Sequence, residues 1–467
     1  MDFTKLYING EWVESDSKDF IEVENPATQA VFAKVPAGNG ADVDKAVRAA
    51  AAAFPQWSAT PLPERKVLME KFLALLESQE EQLIAITVKE LGSRYAFAKA
   101  VQVEYQYTRI RSYIDLADQV PMVEKMEAST VYREPVGVVG CITPWNYPLG
   151  QVIQKVIPAL LMGNTVVLKP SQHTPLSSYW LAEAFAKAGF PKGVFNLVTG
   201  RGGEVGNVLS EHPLVNMISF TGSTAGGITV SRHALGSVKR ISLELGGKSP
   251  FVLLPGCKEY TEAIRLCFNS IFLNSGQTCT AYSRLLVPQA EKAAVEKMLV
   301  EIAAEYTMGD PLAENVKLGP LASAAQFKKV KGFIEQGLAE GAKLLYGGKG
   351  YYIRPTIFTE VDNRTMAIAR EEIFGPVLCV IAYKDIEEAV AIANDTAYGL
   401  NACVYGAKEE AIAVAHRIQA GNVYINASPR DCAAPFGGYK QSGIGREGGV
   451  YGMLEFTQQK ALFDTGK

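Results

Sequence analysis

The chain has 467 residues and a net charge of −3, with no basic stripe set against it, so nucleic acid is not an expected partner. Hydrophobic residues make up 48% and charged residues 20%, an ordinary globular composition that excludes disorder as the main description. At roughly 150 residues per domain, the length accommodates about three folding units.

The N-terminus, MDFTKLYINGEW, lacks the positive start and apolar run of an export signal. No stretch reaches ~18 uninterrupted apolar residues, so no membrane span is expected. The cysteines at 141, 257, 267, 279, 379, 403 and 432 form no CxxC pair, and the histidines lie far apart. That pattern fits a reducing cytoplasm, with neither a disulfide framework nor a metal site.

From Ala41 to about Asp118 the apolar residues recur every three to four positions, a helical pattern. ADVDKAVRAAAAAF places the first cap at Asp42 or Asp44. After Pro121 the texture changes to short β-branched runs ending in Gly, Pro or Ser: TVYREPVGVVGCITPW, NTVVLKP, VFNLVTG and MISFTGS. Helical stretches (LSSYWLAEAFAKAG, EVGNVLSEH) lie between them, and this alternation predicts a parallel sheet covered by helices. Near ISLELGGKSPFVLL a second α/β region begins, with helices over Tyr260 to Leu273 and Ala290 to Tyr306 and strands in SRLLVP, PTIFTEV, PVLCVIAY and GNVYIN. Catalytic and cofactor groups are then expected on loops at the C-terminal ends of the strands.

Cys279, in NSIFLNSGQTCTAYSR, follows small polar residues and precedes an apolar strand, which puts it on a turn. A thiol is a few per cent thiolate at neutral pH and still the most nucleophilic side chain toward a carbonyl. Cys257 and Cys267 have inert, apolar settings, yet spacing alone does not single out Cys279. Glu244 lies in a strand, RISLE, that otherwise reads as buried. A buried carboxyl has a raised pKa and suits a general base, whereas a solvent-facing strand end would not. Asn146 in CITPWNYP is either an oxyanion donor or a turn residue. Lys169 ends a strand at a crevice, and Phe220-Thr221-Gly222-Ser223 runs from a strand into a helix start that suits a phosphate. Gly443, Gly445 and Gly448 match G-x-G-x-x-G literally. No strand precedes them, so they read as a loop.

In order along the chain, PWNYP, KPSQ, FTGST, LELGGKSP, GQTC, EEIFGPV and PFGGYKQSG resemble the aldehyde dehydrogenase superfamily over nearly its whole length. The resemblance implies an α/β fold: a Rossmann-like dinucleotide-binding domain (1–117 and 136–247), a catalytic domain (248–441) and a small β bridging and oligomerisation arm (118–135 and 442–467). It implies that Cys279 attacks an aldehyde, that Asn146 and the Cys279 backbone N–H hold the oxyanion, and that Glu244 activates the hydrolytic water. For NAD or NADP it implies Thr143, Trp145, Lys169, Gln172, Gly202, Gly206, Phe220, Gly222, Ser223, Glu372 and Phe374, and it makes Glu447 a proton-relaying carboxylate. Tyr105, Gln151, Gln154, Thr278 and the loop with Arg430 and Asp431 are expected around the substrate. Arg430 is then an anion partner or a rim charge.

Relatives that prefer NAD often carry Glu where this chain has Gln172, so use of both cofactors is expected. Homodimers or homotetramers are the implied assembly, and VEKMEASTVYREP suits an exposed strand pair. A coenzyme A-dependent acylating enzyme and a non-catalytic homologue are the alternatives; Glu244 argues against the first, and intact Cys279, Glu244 and Asn146 against the second.

Overall fold

The computed structural model describes residues 2–348 and 352–464. Residues 1, 349–351 and 465–467, which the expected domain ranges include, lie outside the described residues. The predicted N-terminal helices form at Gly40–Ala59, Leu62–Glu77 and Glu80–Leu91. The first cap is Asn39, not Asp42 or Asp44. The Asn39 side chain accepts from the Asp42 N–H at 3.2 Å, and Asp42 Oδ2 accepts from the Asn39 N–H at 3.0 Å. This reciprocal pair satisfies two otherwise unbonded donors. The helical pattern then passes through a π-helical segment, Ala98–Glu104, before Tyr105–Leu116. The simple periodicity did not predict that extra residue per turn.

An eight-stranded sheet organises the first half of the chain. Its order is Glu11–Val13, Leu6–Ile8, Phe195–Leu197, Thr165–Lys169, Val138–Ile142, Met217–Thr221, Arg240–Glu244 and Gly443–Ile444. The five central strands are parallel, while the two N-terminal strands and Gly443–Ile444 are antiparallel to their neighbours. Successive residues face opposite sides, as a strand requires. Val139 and Cys141 enter one core, and Val138 and Ile142 the other. With helices on both faces, such strands read as continuous apolar runs. Gly443–Ile444 was expected as a loop within the arm. It instead forms a short edge strand, because Gly443 packs against the Leu243 carbonyl where a Cβ would come within 2.1 Å.

From Glu244 the chain passes directly into Ser249–Leu253 of a second, seven-stranded sheet. Its order is Lys343–Tyr346, Thr356–Thr359, Val377–Tyr383, Tyr282–Pro288, Ser249–Leu253, Asn401–Tyr405 and Asn422–Ile425. All but the first run parallel. A separate three-stranded antiparallel sheet is formed by Val123–Lys125, Ser129–Pro135 and Thr457–Phe463. No helix among the described residues is long and apolar enough to cross a membrane.

Candidate active site

Where the strand order of a parallel sheet reverses, the loops leaving two neighbouring strands diverge and open a crevice. Here the reversal falls between Val138–Ile142 and Met217–Thr221. Phe220 pairs with Ile142, Ile142 with Lys169, and Thr221 with Glu244. The four strands therefore end on one edge. They deliver Thr143, Trp145 and Asn146, then Lys169 and Gln172, then Phe220, Gly222 and Ser223, to a cleft of about 380 Å³ that also contains Gly202, Cys279, Glu372 and Phe374. Gly206 lies beside it; a Cβ there would sit 3.7 Å from Lys169 Cδ.

The cleft has the features of a dinucleotide site. Ser223 caps the helix Thr224–Leu235, its hydroxyl accepting from the Gly226 N–H at 3.1 Å, so a helix N-terminus faces the crevice. A Cβ at Gly222 would strike the Phe220 ring at 2.5 Å, whereas one at Gly202 would meet no protein atom and project into open space. Lys169 is almost fully buried; its ammonium donates to the Pro170 carbonyl at 3.0 Å, and burial pulls its pKa down to about 8. Phe374 has the left-handed φ of 61°, a strained setting for a bulky residue. Gln326 donates to its carbonyl at 2.7 Å, and its ring meets Trp145 edge-on with centroids 5.3 Å apart.

Cys279 sits on a turn just before a strand, as its local sequence predicts, and this sets it apart from the general expectation of C-terminal strand ends. It does not follow a strand of the second sheet. It stands before the N-terminal end of Tyr282–Pro288, after a short 3₁₀ turn at Leu273–Gly276 in which Asn274 and Ser275 adopt positive φ. The chain crosses from the C-terminal edge of one sheet to the N-terminal edge of the next through Gly246 and Gly247, so the site lies between opposite strand ends. Cys279 also lines a second cavity, of about 310 Å³, with Tyr105, Gln151, Gln154, Thr278 and Arg430. Burial, then the carboxyls of Glu372 and Glu244, push its thiol up to about 12. The Asn146 side chain donates to the Gln277 carbonyl at 3.0 Å, while its backbone carbonyl accepts from Gln102 and Asn274 at 3.0 and 2.9 Å. These bonds fix the amide beside the Cys279 loop.

Glu244 is 3% exposed, which removes the solvent-facing reading. Neither carboxylate oxygen has a hydrogen-bond partner among the described residues. Burial and the neighbouring Glu447 charge hold its pKa well above the usual carboxylate range. Glu447 is itself held by Lys155 and by Gln154, each at 2.5 Å. Gln154 thus lines the second cavity while its amide group serves Glu447. Gln151, Gln154 and Lys155 share one face of the buried helix Pro148–Leu161, three and four residues apart.

The aldehyde dehydrogenase family model matches residues 12–462. A Staphylococcus aureus protein that carries an aldehyde dehydrogenase name is 45% identical over 99% of this chain and 98% of its own. A mutant of aldehyde dehydrogenase C from Pseudomonas syringae, solved with NAD+ and octanal, superposes with a TM-score of 0.96 at 45% identity, covering 99% of this chain and 96% of that one. The Mycobacterium tuberculosis aldehyde dehydrogenase solved with NAD+ gives 0.97 at 38% identity, covering 100% and 99%. The chain belongs to the aldehyde dehydrogenase family.

Its fold is accordingly the aldehyde dehydrogenase fold, mixed α/β with parallel sheets. Sequence reasoning left out several residues that shape this aldehyde dehydrogenase's site. Gly246 and Gly247 are needed for close approach. A Cβ on the first would lie 2.6 Å from Glu372 Oε2, and one on the second 2.4 Å from the Cys279 carbonyl. The Gly247 N–H donates to Glu372 Oε1 at 3.0 Å. The paired glycines after a strand were a readable signal. Lys155 and Arg109 were not, because nothing local marks the buried groups they face.

Proposed function

We propose that this enzyme oxidises small to medium aldehydes to carboxylic acids with NAD+ or NADP+, through a thiohemiacetal and a thioester on Cys279. The observation that carries the reading is that Cys279 lines both cavities: the dinucleotide-like cleft on one side and the second cavity on the other. The P. syringae relative solved with both NAD+ and octanal supports it.

In this reading the Cys279 sulfur adds to the aldehyde carbon as the thiol proton passes to Glu244 and on through Glu447. The oxyanion accepts from the Asn146 amide hydrogen not engaged by Gln277 and from the Cys279 backbone N–H. When bound, an oxidised nicotinamide dinucleotide supplies the hydride acceptor that converts the thiohemiacetal to the thioester. Lys169 and Gln172 would hold its adenosine ribose, Gly222 and Ser223 the pyrophosphate, Gly202 and Gly206 the adenine side, and Glu372 and Phe374 the nicotinamide ribose and ring. Thr143, Trp145 and Phe220 complete the walls. Glu244 takes a proton from water, which attacks the thioester and releases the acid and the Cys279 thiolate; its raised pKa suits that task. Glu447 carries the proton onward. The first sheet and its helices form the dinucleotide-binding unit, the second sheet the catalytic unit, and the three-stranded sheet the arm that joins copies of the chain.

The test follows reduced-nicotinamide absorbance with each cofactor and a panel of aldehydes, for wild type and Cys279→Ala. Turnover that disappears in the variant is the expected result. No turnover by wild type, or its appearance only with coenzyme A, would overturn the hydrolytic reading.

A further inference from the structure

The cavity beyond Cys279 is lined by two guanidinium groups, Arg109 and Arg430, and, among the described residues, by no carboxylate. Arg109 is the more telling, because it is only 8% exposed. It lies one turn after Tyr105 on Tyr105–Leu116, so the two share a helix face, and its guanidinium sits 5.2 Å from the centre of the Tyr105 ring. Its Nη1 donates to Gln106 Oε1 at 2.5 Å, a neutral acceptor. The charged and titratable groups with the largest effect on it are Arg430, Tyr113, Tyr105 and Cys432, none of them a carboxylate. Taking a cation out of water without an anion is costly, and a guanidinium cannot shed its proton to escape that cost.

Arg430 is exposed and lies over the Phe436 ring at 4.7 Å. Asp431, its neighbour in sequence, accepts from the Ala433 N–H through Oδ1 at 2.8 Å. Both guanidinium groups line the same cavity as Tyr105.

We propose that this cavity takes an aldehyde bearing a carboxylate at the end away from the carbonyl, with Arg109 as the buried seat of that carboxylate and Arg430 as the cation that draws it in. The inference rests on the reading of Cys279 as nucleophile, which sets the orientation of the substrate. The planar guanidinium of Arg109 offers paired N–H donors that match a carboxylate. Gln106, itself donating to the Val101 carbonyl at 2.7 Å, holds that plane in place. An exposed Arg430 raises the local concentration of anions at the entrance.

Adipate semialdehyde, its terminal amide and hexanal, each assayed with the wild-type enzyme and NAD+, separate charge from size. The expected result is a kcat/KM for the carboxylate at least about tenfold above that for the isosteric amide, the scale of a hydrogen bond to a charged group. Arg109→Met collapses that ratio, chiefly through KM, and Arg109→Lys restores part of it. A carboxylate that is no better than the amide in wild type, or a ratio that persists in Arg109→Met, would overturn the inference while leaving aldehyde oxidation intact. The wild-type comparison stands even if the variant fails to fold. Turnover of none of the three would overturn the aldehyde reading and this inference with it.

Discussion

Lys155 Nζ donates to Glu447 Oε1 at 2.5 Å across 292 residues of chain, and the two side chains are 1% and 3% exposed. A pair so far from water is bound tightly by each partner's need for the other. Removing one member leaves an uncompensated buried charge, which costs about 3–5 kcal/mol. Lys155→Met therefore lowers the denaturant midpoint sharply. A variant as stable as wild type would show that Glu447 finds other compensation.

Glu447 also raises the pKa of Glu244, after burial the larger cause. Glu447→Gln removes that like charge, so Glu244 ionises at lower pH. If Glu244 is the base, activity grows as it loses its proton, and the acid limb of the pH–rate profile shifts downward in the variant. An unchanged acid limb would separate the two carboxyls.

The Cys279 thiol, raised to about 12 from the ordinary 9.0, stays protonated in the folded enzyme while the unfolded chain ionises. Its contribution to stability is present below about pH 9 and lost as pH rises toward 12, at no more than about 1.4 kcal/mol per unit. Alkylation of the cofactor-free enzyme by iodoacetamide should accordingly keep accelerating above pH 9. A rate that levels off near pH 7 contradicts the buried thiol.

Gly247→Ala would push a Cβ against the Cys279 carbonyl, which as backbone cannot turn aside. Misplacing a reacting group by about 1 Å costs on the order of a hundredfold in rate. Steady-state turnover of the variant, with cofactor binding measured separately, tests this. Full activity would mean that the nucleophile loop tolerates movement.

Gln172 lines the cofactor cleft as a neutral side chain. Gln172→Glu introduces a carboxylate that repels a 2′-phosphate, at a cost of several kcal/mol, so kcat/KM for NADP+ falls at least about tenfold relative to NAD+. A wild-type preference for NAD+ beyond a thousandfold would refute dual use.

The three-stranded sheet exposes Val123, Leu462 and Phe463, the last at 81%, and the turn between its first two strands exposes Met126. Apolar residues on the edge strands of a small sheet invite pairing with another copy. Sedimentation should show dimers or tetramers that dissociate on Val123→Glu with Phe463→Glu. A monomer at micromolar concentration would leave the arm unexplained.

Local chemistry was legible along the chain. Helical periodicity, β-branched runs and turn residues act over a few positions, so they revealed the helices after Gly40 and the alternation of the first sheet, whereas most of the residues that line the cleft were implied by the resemblance of the ordered motifs to the family. The first cap was misread because Asp42 looks like a cap from sequence, whereas its carboxylate reaches back to Asn39 from the third helical position. The edge strand at Gly443 was hidden for a related reason: its two residues are defined by a partner strand nearly 200 positions away.

Residue type left Cys279, Glu244 and Asn146 open, and the resemblance of the ordered motifs to the family nominated them. Which strand end presents Cys279, that Glu244 is sealed from water beside Glu447, and that Arg109 faces the second cavity follow from packing. Burial, pairing and the direction of a side chain are sums over neighbours distant in sequence. The same carboxyl or guanidinium is unremarkable in water and chemically poised once the fold has removed the water around it.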